Sequence, residues 1–98
     1  MSDLITVFIS RVAANMETRK QQSKMLDVLS NYKIADEKIN LEVVDVSSNK
    51  DDLTKMREIV GDPHALAPQI AKGNKYCGSY DAFEEAVENK TLKEFLNL

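Results

Sequence analysis

Leu4-Ile5-Thr6-Val7-Phe8-Ile9 is an almost unbroken run of β-branched and aromatic side chains. Six residues are too few for an independent helix, and alternate side chains of a strand point to opposite faces, so this run predicts a central strand covered on both sides. That requirement constrains everything downstream, because the chain must then supply helices above and below one sheet. From about Met16 to Tyr32, the apolar residues Met25, Leu26, Val28, Leu29 and Tyr32 follow helical spacing. Arg19, Lys20, Gln21, Gln22 and Lys24 are assigned to the solvent side of that helix. Leu41-Glu42-Val43-Val44-Asp45-Val46 predicts a second strand ending at Ser47-Ser48-Asn49, where a side-chain oxygen can cap a helix carrying Asp51 and Asp52 in its first turn. Leu53, Met56, Ile59 and Val60 form its apolar stripe, Gly61 ends it and Asp62-Pro63 prevents resumption.

Beyond Pro63 the pattern changes. Gln69-Ile70-Ala71 and Lys75-Tyr76-Cys77 flank Lys72-Gly73-Asn74, which reads as a β-hairpin. Gly78-Ser79-Tyr80-Asp81 leads into a helix with Ala82, Phe83, Ala86 and Val87 inward, and Thr91-Leu92-Lys93-Glu94 has the form of a capping box before Phe95, Leu96 and Leu98. A right-handed βαβ unit makes the first two strands parallel and the hairpin adds an antiparallel pair. The expected fold is α/β and thioredoxin-like, a four-stranded mixed sheet flanked by helices on both faces. The 98 residues, spanning 1–98, make one domain able to bury roughly two thirds of its unfolded surface.

Composition narrows the chemistry. Thirteen Lys and Arg against 16 Asp and Glu give a net charge of -3, so nucleic acid is not an expected partner. The single cysteine, Cys77, excludes an internal disulfide, a Cys-x-x-Cys pair and a multi-cysteine zinc site within one chain. No run of 18 apolar residues predicts a membrane span, and the start lacks the pattern of a signal peptide. A cytoplasmic location follows, with nuclear entry open to so small a protein. On that reading Asn89-Lys90-Thr91 is a chance match to the glycosylation pattern.

Ala67-Pro68-Gln69-Ile70, the hairpin, Tyr76-Cys77-Gly78-Ser79-Tyr80-Asp81-Ala82-Phe83, Glu85-Ala86-Val87 and Thr91-Leu92-Lys93-Glu94-Phe95-Leu96 together resemble the SH3-domain-binding glutamic-acid-rich-like family. Gln21-Gln22 and Val43-Val44-Asp45-Val46-Ser47 extend the likeness, which is closest to the short form without an acidic tail. The resemblance implies a glutaredoxin fold. It also implies that the Cys-x-x-Cys of a dithiol glutaredoxin would lie between the first strand and first helix. Here that loop is Ser10-Arg11-Val12-Ala13-Ala14-Asn15-Met16-Glu17, with no sulfur nucleophile, and a hydroxyl does not replace a thiolate in disulfide exchange. The expected protein is therefore not an enzyme.

The same resemblance makes Pro68 a cis-proline and gives the backbone of Ala67 the task of pairing with glutathione or a peptide as an added strand. Leu66, Ala67, Pro68, Gly78, Ser79, Tyr80 and Asp81 are the implied groove, with Gly78 to Asp81 matching the turn that holds the γ-glutamyl end of glutathione. The other reading is that Pro68 and Gly78 only shape the fold. By the resemblance Cys77 stands near the groove and beside a helix entrance that favours thiolate. Three uses stay open: a half-buried structural thiol, a site of glutathionylation or oxidation, or one ligand of a [2Fe-2S] cluster shared by two chains with glutathione.

His64 has no ligand partners beyond Asp62 and reads as a surface residue, so no metal is expected. Tyr76 and Tyr80 flank the groove, with stacking on a peptide and simple packing as the two readings. Arg19, Lys20 and Lys24 are a solvated face able to attract an acidic segment. Relatives carry Pro-Leu-Pro-Pro-Gln where this chain has Ala65-Leu66-Ala67-Pro68-Gln69, and a sole Pro68 does not make Pro-x-x-P, so SH3 binding through this segment is not expected. The leading expectation is a non-catalytic adaptor or modulator that binds protein partners, with no resident cofactor and weak glutathione binding. The alternatives are a glutathione-dependent redox or cluster protein acting through Cys77, and a scaffold with a vestigial groove whose partners use the acidic last helices.

Overall fold

A computed structural model describes residues 3–13 and 15–98. Its elements are β1 (Ile5–Ile9), α1 (Met16–Ser30), β2 (Lys33–Ile34), β3 (Glu37–Lys38), β4 (Leu41–Asp45), α2 (Lys50–Val60), β5 (Gln69–Lys72), β6 (Lys75–Ser79), α3 (Tyr80–Glu88) and α4 (Leu92–Phe95). The main sheet has the order β4-β1-β5-β6. β1 runs parallel to β4, with Val7 opposite Val43, and antiparallel to β5, with Val7 opposite Ile70. The expected four-stranded mixed sheet is present, and all five residues of β1 are buried at its centre.

Alternation along β1 builds two cores. Ile5, Val7 and Ile9 pack with Met25 and Leu29 of α1, Ile70 of β5, Phe83 and Ala86 of α3, and Leu92 and Leu96. Phe8 packs on the opposite face with Val46, Met56 of α2, Ala65 and Ala71. At roughly 25 cal/mol per Å² of apolar surface removed from water, such double cover is the main source of stability. Asn49 caps α2 by accepting from the Asp51 N–H at 2.8 Å, and Gly61 closes it in the left-handed conformation at φ 82°.

Two local expectations are corrected. Thr91 makes no side-chain cap, because its backbone sits at φ -116° and ψ 27° rather than in the extended conformation that aims a hydroxyl back at the helix. Its geometry is set by the end of α3, where Lys90 is left-handed, the Lys90 N–H donates to Val87 and the Thr91 N–H donates to Ala86 in a Schellman closure. The second correction is the β2–β3 hairpin, absent from the sequence reading. Its turn residues Ala35 and Asp36 take φ 53° and 67°, the twist-compatible two-residue turn, without the Asn-Gly or Asp-Gly that signals one.

Candidate functional site

A cavity of about 380 Å³ opens at the end of the sheet where β1 and β4 both finish. Parallel strands bring their connections together there, which is the usual place for a site in an α/β protein. One wall is the β1–α1 loop, through Ser10, Ala13 and Asn15. Val46 and Ser47 follow β4, Leu53 and Arg57 come from α2, and Leu66 and Ala67 precede β5.

Hydrogen bonds from several elements fix the β1–α1 loop. Gln22, expected on the solvent side of α1, is only 6% exposed. Its Oε1 accepts from the Ser10 N–H at 2.8 Å and its Nε2 donates to the Ser10 carbonyl at 3.1 Å. A periodicity argument sorts glutamine by polarity and misses that a primary amide can satisfy one backbone donor and one acceptor at once. Arg19 Nε donates to the Ala13 carbonyl at 2.9 Å, and Asn15 caps α1 by accepting from the Thr18 N–H at 2.7 Å. The Arg11 N–H donates to Asp45 Oδ1 at 3.2 Å, and Arg11 Nε lies 3.7 Å from Asp45 Oδ2. Asp45 also accepts from the Ser47 hydroxyl and N–H, and the hydroxyl bond is the chief cause holding its carboxyl below the ordinary value.

The facing wall is held as firmly. The Ala67–Pro68 peptide bond is cis, as the resemblance implies, and Pro68 is buried. Tyr76 donates its hydroxyl to Gln69 Oε1 at 2.6 Å, and Gln69 Nε2 donates to the Leu66 carbonyl at 2.8 Å. Tyr76 is thus engaged inside the sheet, the packing reading of that residue. Arg57 Nε donates to the Ala65 carbonyl at 3.0 Å. Ala67 differs from its neighbours: its N–H and C=O make no hydrogen bond among the described residues.

Of the sequence-selected groove residues, Leu66 and Ala67 line this cavity while Gly78, Ser79, Tyr80 and Asp81 stand outside its lining. They are nevertheless adjacent, because Ser79 pairs with Gln69 and so sets the N-terminus of α3 beside Pro68. Ser79 makes no side-chain cap and Asp81 is exposed. The Tyr80 hydroxyl is pushed up to about 12, first by its hydrogen bond to Glu84. Gly78 has a packing role: a Cβ there would lie 2.7 Å from Phe95 Cε1.

Cys77 lies in a β-bulge between the Ile70–Gly78 and Ala71–Tyr76 pairs, and its side chain packs on the α1/α3/α4 core. Asn97 Nδ2 donates to Sγ at 3.6 Å. Burial outweighs that bond and the nearby Lys75 and Lys72, and pushes the thiol up. This corrects the expectation that the helix entrance favours thiolate: desolvation of the sulfur is the larger effect here. His64 is exposed, its backbone N–H bonded to Asp62 Oδ1 at 2.9 Å. Among the described residues no three His, Cys, Asp or Glu side chains converge as metal ligands would, and no helix is long and apolar enough to cross a membrane. Arg57, Leu53 and Gln22 were not singled out as site residues by sequence, since none stands in a local motif with Pro68 and only the fold joins them.

The central β1, the antiparallel hairpin entered through a cis-proline and the cavity at the sheet end define a glutaredoxin-like protein of the thioredoxin fold. Solved structures agree: the holo form of glutaredoxin C1 from Populus tremula x tremuloides aligns with TM-score 0.61 and 16% identity over 98% of this chain and 78% of that one. The buckwheat glutaredoxin–glutathione complex aligns with TM-score 0.58 and 18% identity over 95% and 76%. The C. albicans actin interacting protein Aip5 aligns with TM-score 0.68 and 17% identity over 94% and 86%. Within that fold, residues 3–98 match the model of the family described as SH3-binding, glutamic acid-rich protein, and the chain belongs to that family. A Drosophila melanogaster SH3 domain-binding glutamic acid-rich protein homolog is 32% identical over 97% of the chain, which spans 65% of that relative's length.

Proposed function

We propose that this chain is a non-catalytic adaptor that holds an extended, peptide-like ligand in the groove between the β1–α1 loop and Leu66–Ala67, with glutathione as a weak occupant. The observation that carries this reading is the free backbone of Ala67 on the cavity wall, since an unpaired N–H and C=O beside a sheet invite a strand-like partner. Arg57 adds a positive charge for a carboxylate. The opposing loop, where a glutaredoxin keeps its nucleophile, carries no cysteine, which supports binding without disulfide exchange. The family's name and that of the actin interacting neighbour favour protein partners.

Segment 65–69 enters β5 with Ala65, Pro68 and Gln69 buried, which disfavours its presentation to an SH3 groove. Titrating reduced glutathione into isotopically labelled protein tests the groove by backbone NMR. Saturable shifts at Leu66, Ala67, Gly78, Ser79 and Asp81 are expected. No shift up to cellular millimolar glutathione removes glutathione as an occupant, no shift with an extended peptide either overturns the groove, and turnover of a mixed glutathione disulfide overturns its non-catalytic character. Cys77→Ser separates this reading from one that works through the thiol, because groove binding survives the substitution only in the adaptor.

A further inference from the structure

Among the described residues, four large hydrophobic side chains are exposed, and Val43 lies apart on the outer strand β4. The other three, Val12 at 73%, Met16 at 68% and Leu66 at 69%, all belong to the two segments that wall the cavity. Val12 stands between the lining residues Ser10 and Ala13, Met16 follows the lining residue Asn15, and Leu66 is itself part of the lining. Nothing in the fold needs them apolar, since their side chains remain in water. A cluster of exposed apolar residues around a concavity is the usual mark of a protein contact.

Charge selects the partner. Arg57 is the one charged residue of the lining, on a chain whose net charge is -3. Arg11 stands on the β1–α1 loop with its side chain exposed, and Arg19 of α1 donates to the carbonyl of the lining residue Ala13. The acids of this end are Glu17 in the first turn of α1, Asp51 and Asp52 in that of α2, Asp81 in that of α3, and Asp45, which is engaged by Ser47 and Arg11; none of them lines the cavity. The lining of the groove is therefore cationic, against the sign of the whole.

The geometry points to a specific occupant: an extended segment of another protein in which apolar residues alternate with acidic ones. Its backbone pairs with Ala67, its apolar side chains cover Leu66, Val12 and Met16, and its carboxylates meet Arg57 and Arg11. This rests on the groove reading above and adds the chemistry of the partner. Free glutathione has no large apolar side chains, so it leaves that rim uncovered.

The probe is the fluorescein-labelled peptide Gly-Leu-Glu-Val-Glu-Leu-Gly, followed by anisotropy and by amide shifts of the labelled protein. Saturable binding is expected, with shifts at Val12, Leu66 and Ala67. Replacing both glutamates by lysine weakens it about tenfold, the effect of losing two partly exposed charge contacts. Leu66→Ser, at a site too exposed to unfold the chain, weakens it by about the same factor, as withdrawing most of one buried leucine contact should. Arg57→Gln abolishes the preference for glutamate over lysine, with Arg11→Gln as the second variant should loss of the Arg57 bond to Ala65 loosen the loop. Equal affinity for the two peptides, or unchanged affinity in Leu66→Ser and Val12→Ser, overturns the proposal. Self-association of the free protein that Leu66→Ser abolishes also overturns it, by making a second copy the occupant. If glutathione shifts Ala67 and the peptide fails to bind, the groove stands and the proposed partner chemistry falls; if neither moves Ala67, both fall.

Discussion

Two strand-to-helix junctions frame the candidate groove, and they are built on opposite principles. β1 reaches α1 through the six-residue stretch 10–15, whose shape is set by hydrogen bonds from Gln22, Arg19 and Asp45. β6 passes directly from Ser79 into Tyr80 of α3, and its shape is set by close packing of Gly78 on Phe95 and Ala82. In the first junction, side chains such as Val12 are left free because other residues hold the backbone. In the second, the backbone is itself the packed surface and Gly78 has no room to change. A loop held from outside can exchange its exposed residues without refolding the domain, so a variable surface belongs at the first junction and rigidity at the second.

The sharpest way to break this contrast is Gly78→Ala. The new Cβ would meet Phe95 Cε1 at 2.7 Å and Ala82 Cβ at 3.0 Å, in a backbone at φ 157° that side chains rarely adopt. Overpacking of this kind costs about 2–3 kcal/mol, read as a lower urea midpoint with an unchanged slope. Adding Phe95→Ala should show coupling between the two sites, since one side chain vacates the space the other enters. A loss below about 0.5 kcal/mol, within the range of an ordinary surface substitution, would mean that this junction is not held by packing.

Gln22→Leu attacks the other junction. It replaces the amide by an apolar group of similar size and leaves the Ser10 N–H and C=O without their partner. Unmet backbone groups cost about 1–3 kcal/mol when buried, and water reaching this half-buried loop places the expected loss near 1–2 kcal/mol. Hydrogen exchange at Ser10 should accelerate more than exchange in β5. Equal acceleration in both would mean that the amide supports the whole sheet rather than this loop.

The same contrast explains what was legible in the sequence. β1, α1, α2 and the β5–β6 hairpin were readable because apolar spacing and turn residues act locally, as in the Asn49 cap and Gly61 stop of α2. The β2–β3 hairpin was not, because Ala35 and Asp36 adopt left-handed angles that tertiary context imposes on residues without a turn signature. Of the candidate site, Leu66 and Ala67, which line the cavity, and the cis Pro68 beside them were picked out through a resemblance carried by contiguous residues. Gln22, Leu53 and Arg57 escaped because their contacts cross between elements, Gln22 to Ser10 and Arg57 to Ala65. Polarity placed Gln22 outside when two backbone bonds draw it in.

The smallest effect, and the one that isolates electrostatics at the open junction, is Asp45→Asn. Ser47, through its hydroxyl and N–H, and Arg11 hold the Asp45 carboxyl below its ordinary value of 3.8 in the folded protein. A carboxylate whose folded value is depressed adds stability that is complete above its unfolded value and disappears as pH falls through the folded one. The stability gap between the parent and Asp45→Asn should therefore stay constant from neutral pH down to about the unfolded value, then close on further acidification. With Arg11 69% exposed, the ion pair itself contributes less than about 1 kcal/mol, so the Ser47 and Arg11 N–H bonds account for most of the gap. Urea unfolding of both proteins across the acid range reads this directly. A gap that persists unchanged into strong acid would show that Asp45 acts by shape rather than by charge, and that the open junction needs no electrostatic clamp.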